Sequence, residues 1–133
     1  MKHYDVVAAI IMYENKVLCV QRSESKFDYI SKKYEFPGGK IEQGETKEVA
    51  LKREITEELK MNIVVKDAFL TVDYQYPDFK ITMYSYLCGT TDKLLTLTEH
   101  IDFKWLSCTE LGGLDWAAAD VPIVEKLLKE YHG

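Results

Sequence analysis

The chain opens on an apolar run. Residues 5–12 (DVVAAIIM) follow one acid with an unbroken apolar stretch, the pattern of a strand buried on both faces. Residues 16–21 (KVLCVQ) return in the same style, and Glu14-Asn15 between them predicts a hairpin turn. Residues 23–34 are polar, with Ser23, Ser25, Asp28 and Ser31 among them, and predict a loop. In Glu35-Phe36-Pro37-Gly38-Gly39, the proline and paired glycines exclude a regular element and permit an unusual backbone path. The period then changes. Leu51, Ile55 and Leu59 recur every four residues behind Thr46, a good N-cap, and Glu48 suits the first-turn dipole; a helix is predicted to about Lys60. Alternation resumes over 62–74 and 79–89, two strands around Tyr76-Pro77-Asp78, and 101–106 (IDFKWL) is a further short strand. Gly112-Gly113 marks a break. Pro122 opens a last amphipathic helix over roughly 120–131, with Val121, Ile123, Val124, Leu127 and Leu128 as its apolar set. The order strands, helix, strands, helix predicts an α+β or mixed α/β/α layer fold, and the length suits a single domain over 1–133.

The first helix also carries acids. Glu54, Glu57 and Glu58 fall at roughly 0°, −60° and +40° around its axis, on one side. Three carboxylates so placed repel one another unless a cation sits among them, and hard oxygen ligands favour Mg²⁺ or Mn²⁺. The plainer reading is a solvated face, with Glu48–Lys52 and Arg53–Glu57 pairs worth about 0.3–0.5 kcal/mol each. The surroundings decide between the two. Gly39, Glu45, Arg53, Glu54, Glu57 and Glu58 obey one long spacing: Gly, five residues, Glu, seven residues, Arg-Glu, an aliphatic, any residue, Glu-Glu. Average residue frequencies give such a match odds on the order of one in 10⁵ by chance.

Composition narrows the partners. A net charge of −5 disfavours binding to a nucleic-acid polymer, but not a phosphorylated small molecule, because a metal reverses the local sign. The N-terminus lacks a signal-peptide pattern, and no stretch is long enough to span a bilayer. Cys19, Cys88 and Cys108 lie far apart and read as reduced buried thiols. A cytoplasmic protein is expected.

The acid pattern resembles the Nudix box, and the chain is similar to the Nudix hydrolases, which cleave nucleoside diphosphates linked to a further group. Lys60 stands where the family usually has Gly, and Met61 where it has an aliphatic. The length, the EFPGGKIE segment and AADVPIVEKL resemble the MutT-type nucleoside triphosphate pyrophosphohydrolases. That resemblance implies a mixed sheet between helices. It implies Mg²⁺ (or Mn²⁺) bound by Glu54, Glu57, Glu58 and the Gly38 carbonyl, with Glu99 approaching the metals, and with either Glu58 or Glu99 as the base. Arg53 would hold a box carboxylate by a bidentate bond, and Glu45 would structure the loop or assist a metal-bound water. His100, next to Glu99, carries no motif and reads as surface.

Arg22 matches a phosphate-binding arginine of the MutT type; Lys33 and Lys40 are weaker cations. The substrate wall would comprise Arg22, Glu35, Phe36, Pro37, Gly38, Gly39, Tyr76 and Asp120, with Trp116 a further aromatic. Asp120 has two readings. It caps the last helix, or it reads the base as an ionised acceptor, as in the CTP pyrophosphohydrolase branch. The implied reaction is (d)NTP plus water to (d)NMP plus pyrophosphate, with CTP, dCTP or 5-substituted dCTP preferred. The alternatives are hydrolysis of 8-oxo-dGTP and a non-catalytic nucleotide-binding module. The expected partner is a small nucleotide, with no membrane, and the protein a monomer or homodimer.

Overall fold

A computed structural model describes residues 1–131. The first strand, β1 (Lys2–Tyr13), is longer than the apolar run that predicts it, because its polar start pairs with a neighbour along its whole length. Glu14 and Asn15 both take positive φ (49° and 65°), the primed turn that suits the twist of a hairpin, and β2 (Lys16–Gln21) returns antiparallel. Alternate β1 residues enter opposite layers. Ala8 and Ile10 join one apolar cluster, while Val7, Ala9 and Ile11 join another. Strand β2 divides likewise, Val17 and Cys19 against Leu18 and Val20. These two strands therefore carry both cores.

Helix α1 (Lys47–Leu59) covers one face with Ala50, Leu51, Ile55 and Leu59, and helix α2 (Val121–Glu130) covers the other with Ile123, Val124 and Leu127. Val121 and Leu128, assigned to the apolar set of α2 by periodicity, are partly exposed, since the stripe that meets the sheet is narrower than the sequence pattern. Between the helices lies a mixed sheet in the order β3-β2-β1-β6-β5. Its members are β3 (Tyr34–Glu35), β5 (Val64–Gln75) and β6 (Phe79–Gly89), with β6 running parallel to β1. Strand β4 (Gly38–Lys40) pairs with β1, and β7 (Asp102–Leu106) pairs with β2. The fold is α+β, as the element order implies.

Two local expectations change. The Pro-Gly-Gly segment does not exclude regular structure: Gly38 and Gly39 form β4 without positive φ. Their freedom is spent on close approach. A Cβ on Gly38 would lie 1.9 Å from the Val7 carbonyl oxygen. Gly112-Gly113 ends a 3₁₀ helix, Cys108–Gly113, started by Ser107 and Glu110 in a reciprocal capping box.

Helix α1 starts where Thr46 accepts the Val49 N–H at 3.2 Å. It ends at Leu59, and Lys60 takes the left-handed conformation (φ 56°, ψ 37°) while its N–H bonds the Thr56 carbonyl. A residue with a Cβ is strained there, which is the physical content of the glycine usual at this place. Lys60→Gly is therefore expected to stabilise the protein by about 1 kcal/mol. Urea unfolding should show a higher midpoint with an unchanged slope.

Candidate active site

Arg53 organises the acids. Its Nε and Nη2 donate to the two oxygens of Glu45 at 2.6 and 2.9 Å, a bidentate fork. Nη1 reaches Glu54 at 3.1 Å and Glu57 at 3.3 Å, and Nη2 also donates to the Lys40 carbonyl at 3.1 Å. Glu45 in turn accepts the Glu42 N–H at 2.8 Å, which closes the loop before α1. Of the two roles expected for Glu45, the structure supports loop organisation. The guanidinium is saturated, so Arg53 positions acids.

The acid face is graded in depth. Glu57 is 60% exposed at its side chain and Glu54 16%, while Glu58 is buried and its Oε2 has no hydrogen-bond partner. Burial first, then the charges of Glu35, Glu54 and Glu99, push the Glu58 carboxyl up to about 9. Burial likewise raises Glu54, against the opposing pull of Arg53. Among the described residues no three His, Cys, Asp or Glu side chains converge as a finished ligand cage; Arg53 holds Glu54 and Glu57. The donor set nonetheless fits a hard cation: carboxylate oxygens, an orphaned buried oxygen, and acids that raise one another's pKa.

Glu99 is exposed, yet the segment that carries it is tied to the box helix. Thr98 Oγ1 donates to the Glu57 and Glu58 carbonyls at 3.0 Å each, and the Thr98 and Thr96 N–H groups bond the Glu58 and Leu59 carbonyls. These threonines satisfy the orphan carbonyls of the helix end and bring Glu99 within the field of Glu58. No spacing in the sequence signals them. His100 is a correction. It is not surface; its side chain is 5% exposed, with Nε2 2.9 Å from Glu35 Oε2.

A cavity of about 550 Å³, the size of a small-molecule site, lies beside the acids. Arg22, Glu35, Phe36, Gly38, Gly39, Tyr76 and Asp120 line it; Pro37 does not, and its carbonyl accepts the Ala9 N–H instead. Lys40 also lines it, whereas Lys33 is taken by Asp115 at 2.8 Å. Trp116 stacks behind Phe36 at 4.7 Å between centroids. Gly39 joins cavity to acids, for a Cβ there would lie 2.4 Å from the Glu54 carboxyl carbon. Lys26, Phe27 and Ile30, from the loop after β2, also line the wall. Sequence reasoning missed them, because distant partners hold that loop inward: Phe27 packs on Phe79, Tyr29 stacks on Tyr76, and the Tyr29 hydroxyl donates to Asp78 at 2.7 Å.

Asp120 does not cap α2 through its side chain. Its Oδ1 accepts the Phe36 N–H at 3.0 Å, across the cavity wall. Burial, then the charge of Glu35, holds its carboxyl well above the usual range, against the Phe36 N–H and Arg22. That upward shift works against the ionised acceptor expected from sequence; in its protonated form the acid would offer a hydroxyl donor beside an acceptor.

Two outcomes are expected. Gly39→Ala should displace the Glu54 carboxylate and lower kcat while leaving the melting temperature near that of the parent. Gly38→Ala meets backbone rather than a movable side chain, so a large fall in melting temperature should accompany any loss of activity. Glu58 has an ordinary value of 4.5 when unfolded and about 9 when folded. The metal-free fold binds the extra proton between those values, so its stability should fall as pH rises through that window. Glu58→Gln should reduce the slope in melts taken against pH, and Mg²⁺, which favours the ionised form, should flatten it in the parent.

The NUDIX domain family matches residues 2–129. The chain is 32% identical to an 8-oxo-dGTP diphosphatase of Escherichia coli (strain K12), over 96% of this chain and 98% of that protein. It is 30% identical to the CTP pyrophosphohydrolase of the same organism, over 96% and 93%. Among solved structures, a MutT protein of the Nudix hydrolase family from methicillin-resistant Staphylococcus aureus 252 is 44% identical, with a TM-score of 0.75 and coverage of 98% and 99%. The E. coli ORF135 protein is 31% identical at a TM-score of 0.81, covering 97% and 91%. With the acid cassette and neighbouring cavity in place, this chain belongs to the Nudix hydrolase family and is a nucleotide pyrophosphohydrolase.

Proposed function

We propose that the chain hydrolyses a (d)NTP to (d)NMP and pyrophosphate, with cytosine nucleotides (CTP, dCTP or 5-substituted dCTP) preferred. The observation that carries this reading is Asp120 on the wall of a cavity whose Gly39 edge abuts the box acids. With Oδ1 anchored by Phe36, the Asp120 carboxyl would present an acceptor and, when protonated, a donor beside it. Cytosine's N4 amine and N3 offer the complementary pair. Phe36 and Tyr76 supply apolar wall for the base.

Nudix hydrolases generally use a divalent metal such as Mg²⁺. Glu54, Glu57 and Glu58, with the Gly38 carbonyl, would hold it, and Mn²⁺ suits the same oxygens. When bound, the ion polarises a phosphoryl oxygen and makes a water more acidic. Arg53 keeps Glu54 and Glu57 in place. Glu99 takes the proton of the attacking water, and Arg22 neutralises charge on the phosphates. A nucleotide substrate and three buried, unpaired cysteines accord with a cytoplasmic location.

A second reading, hydrolysis of 8-oxo-dGTP, is favoured by the E. coli relative of that name. A protonated Asp120 would also complement the O6 and N1–H of a guanine edge. A panel of nucleotides with Mg²⁺ separates the two. Cytosine nucleotides should show the highest kcat/KM, with pyrophosphate as product. Release of orthophosphate overturns the cleavage position, and 8-oxo-dGTP turned over far faster than any cytosine nucleotide overturns the base assignment. Glu57→Gln, at an exposed position, should keep the fold and lower kcat/KM by at least about 10²-fold.

A further inference from the structure

The loop between β6 and β7 puts a histidine where neither the box nor the cavity wall demands one. His100 has its side chain 5% exposed. Its Nε2 lies 2.9 Å from Glu35 Oε2, and Nδ1 is buried with no partner. Carboxylate oxygens accept, so Nε2 carries the proton. The other oxygen, Glu35 Oε1, takes the Nη1 of Arg22 at 3.1 Å. A chain of contacts thus runs His100, Glu35, Arg22, and the last two members line the cavity. The histidine is itself held on both sides. Thr98 bonds the Glu57 and Glu58 carbonyls, and the Ile101 N–H bonds the carbonyl of Gln21, the neighbour of Arg22.

We propose that His100 is a positioning residue: by fixing Glu35 it aims the Arg22 guanidinium into the substrate cavity. Arg22 needs such a guide. Its side chain is long and 42% exposed, and Glu35 is the one side chain recorded as bonding it among the described residues. With Oε2 released, the Glu35 carboxylate turns and Arg22 loses its direction. A free Arg22 must then be ordered at the moment of binding, which weakens ground-state affinity. The inference rests on Arg22 as the phosphate-binding cation of the proposed function.

The test is steady-state kinetics on dCTP at saturating Mg²⁺, with 8-oxo-dGTP as a parallel substrate because the phosphates are common to both. His100→Ala should raise KM about fivefold to tenfold and leave kcat within about twofold. The amide nitrogen of Gln occupies the place of Nε2, whereas that of Asn occupies the place of Nδ1. His100→Gln should therefore restore KM, and His100→Asn should not. The Kd of a non-hydrolysable dCTP analogue should follow the same order. Arg22→Ala should raise KM at least as much, and adding His100→Ala to it should change nothing more. If Arg22→Ala leaves KM unchanged, the reading of Arg22 fails. If Arg22→Ala raises KM but His100→Ala does not, the positioning role alone fails. It also fails if Gln and Asn behave alike, or if the effects of Arg22 and His100 add.

Discussion

The guanidinium of Arg53 holds the acid side of this protein together. Its fork on Glu45 ties the loop before α1 to the face of that helix, and its remaining donors hold Glu54, Glu57 and the Lys40 carbonyl. Without a cation among them, these acids repel. One partly buried arginine therefore serves several carboxylates, which exposed pairs do weakly and a shared, bidentate centre does well. It also leaves Glu58 unserved. That residue is buried with an orphaned oxygen, the place where a hard cation relieves most charge.

The sheet supplies the rigidity this arrangement requires. Strand β1 is buried on both sides, so each alternate residue locks it to a different helix. Because β4 pairs with β1 through Gly38, Gly39 and Lys40, the cavity edge is tied to a core strand. The Gly39 backbone lies against the Glu54 carboxyl at a separation no other residue type permits. Acids and cavity are thereby held in one register, and the chemistry of the helix is aimed at whatever the cavity holds.

Much of this was legible in one dimension. The Thr46 cap, the Leu51–Ile55–Leu59 stripe and the hairpin at Glu14-Asn15 depend on neighbours within a few residues, so spacing reveals them. The same holds for the box acids, whose face is a consequence of helical period. Other features depend on distant partners. His100 meets Glu35 across 65 positions, and Asp120 meets Phe36 across 84. A local reading made the first a surface residue and left the second between a helix cap and a contact to the base, because each is polar and sits beside an element end.

The order of the longer strands and the two helices, the acid cassette and the kind of ion it suits follow from the chain alone, since periodicity and residue chemistry are local; the short strands β3 and β4 do not. Tertiary structure alone decided which acids are buried, that Gly38 and Gly39 serve close approach, that burial and Glu35 push the Asp120 carboxyl upward, and that His100 is enclosed. The reason is physical. Burial and the charges that surround a group are set by the segments packed against it, and those segments lie far away along the chain.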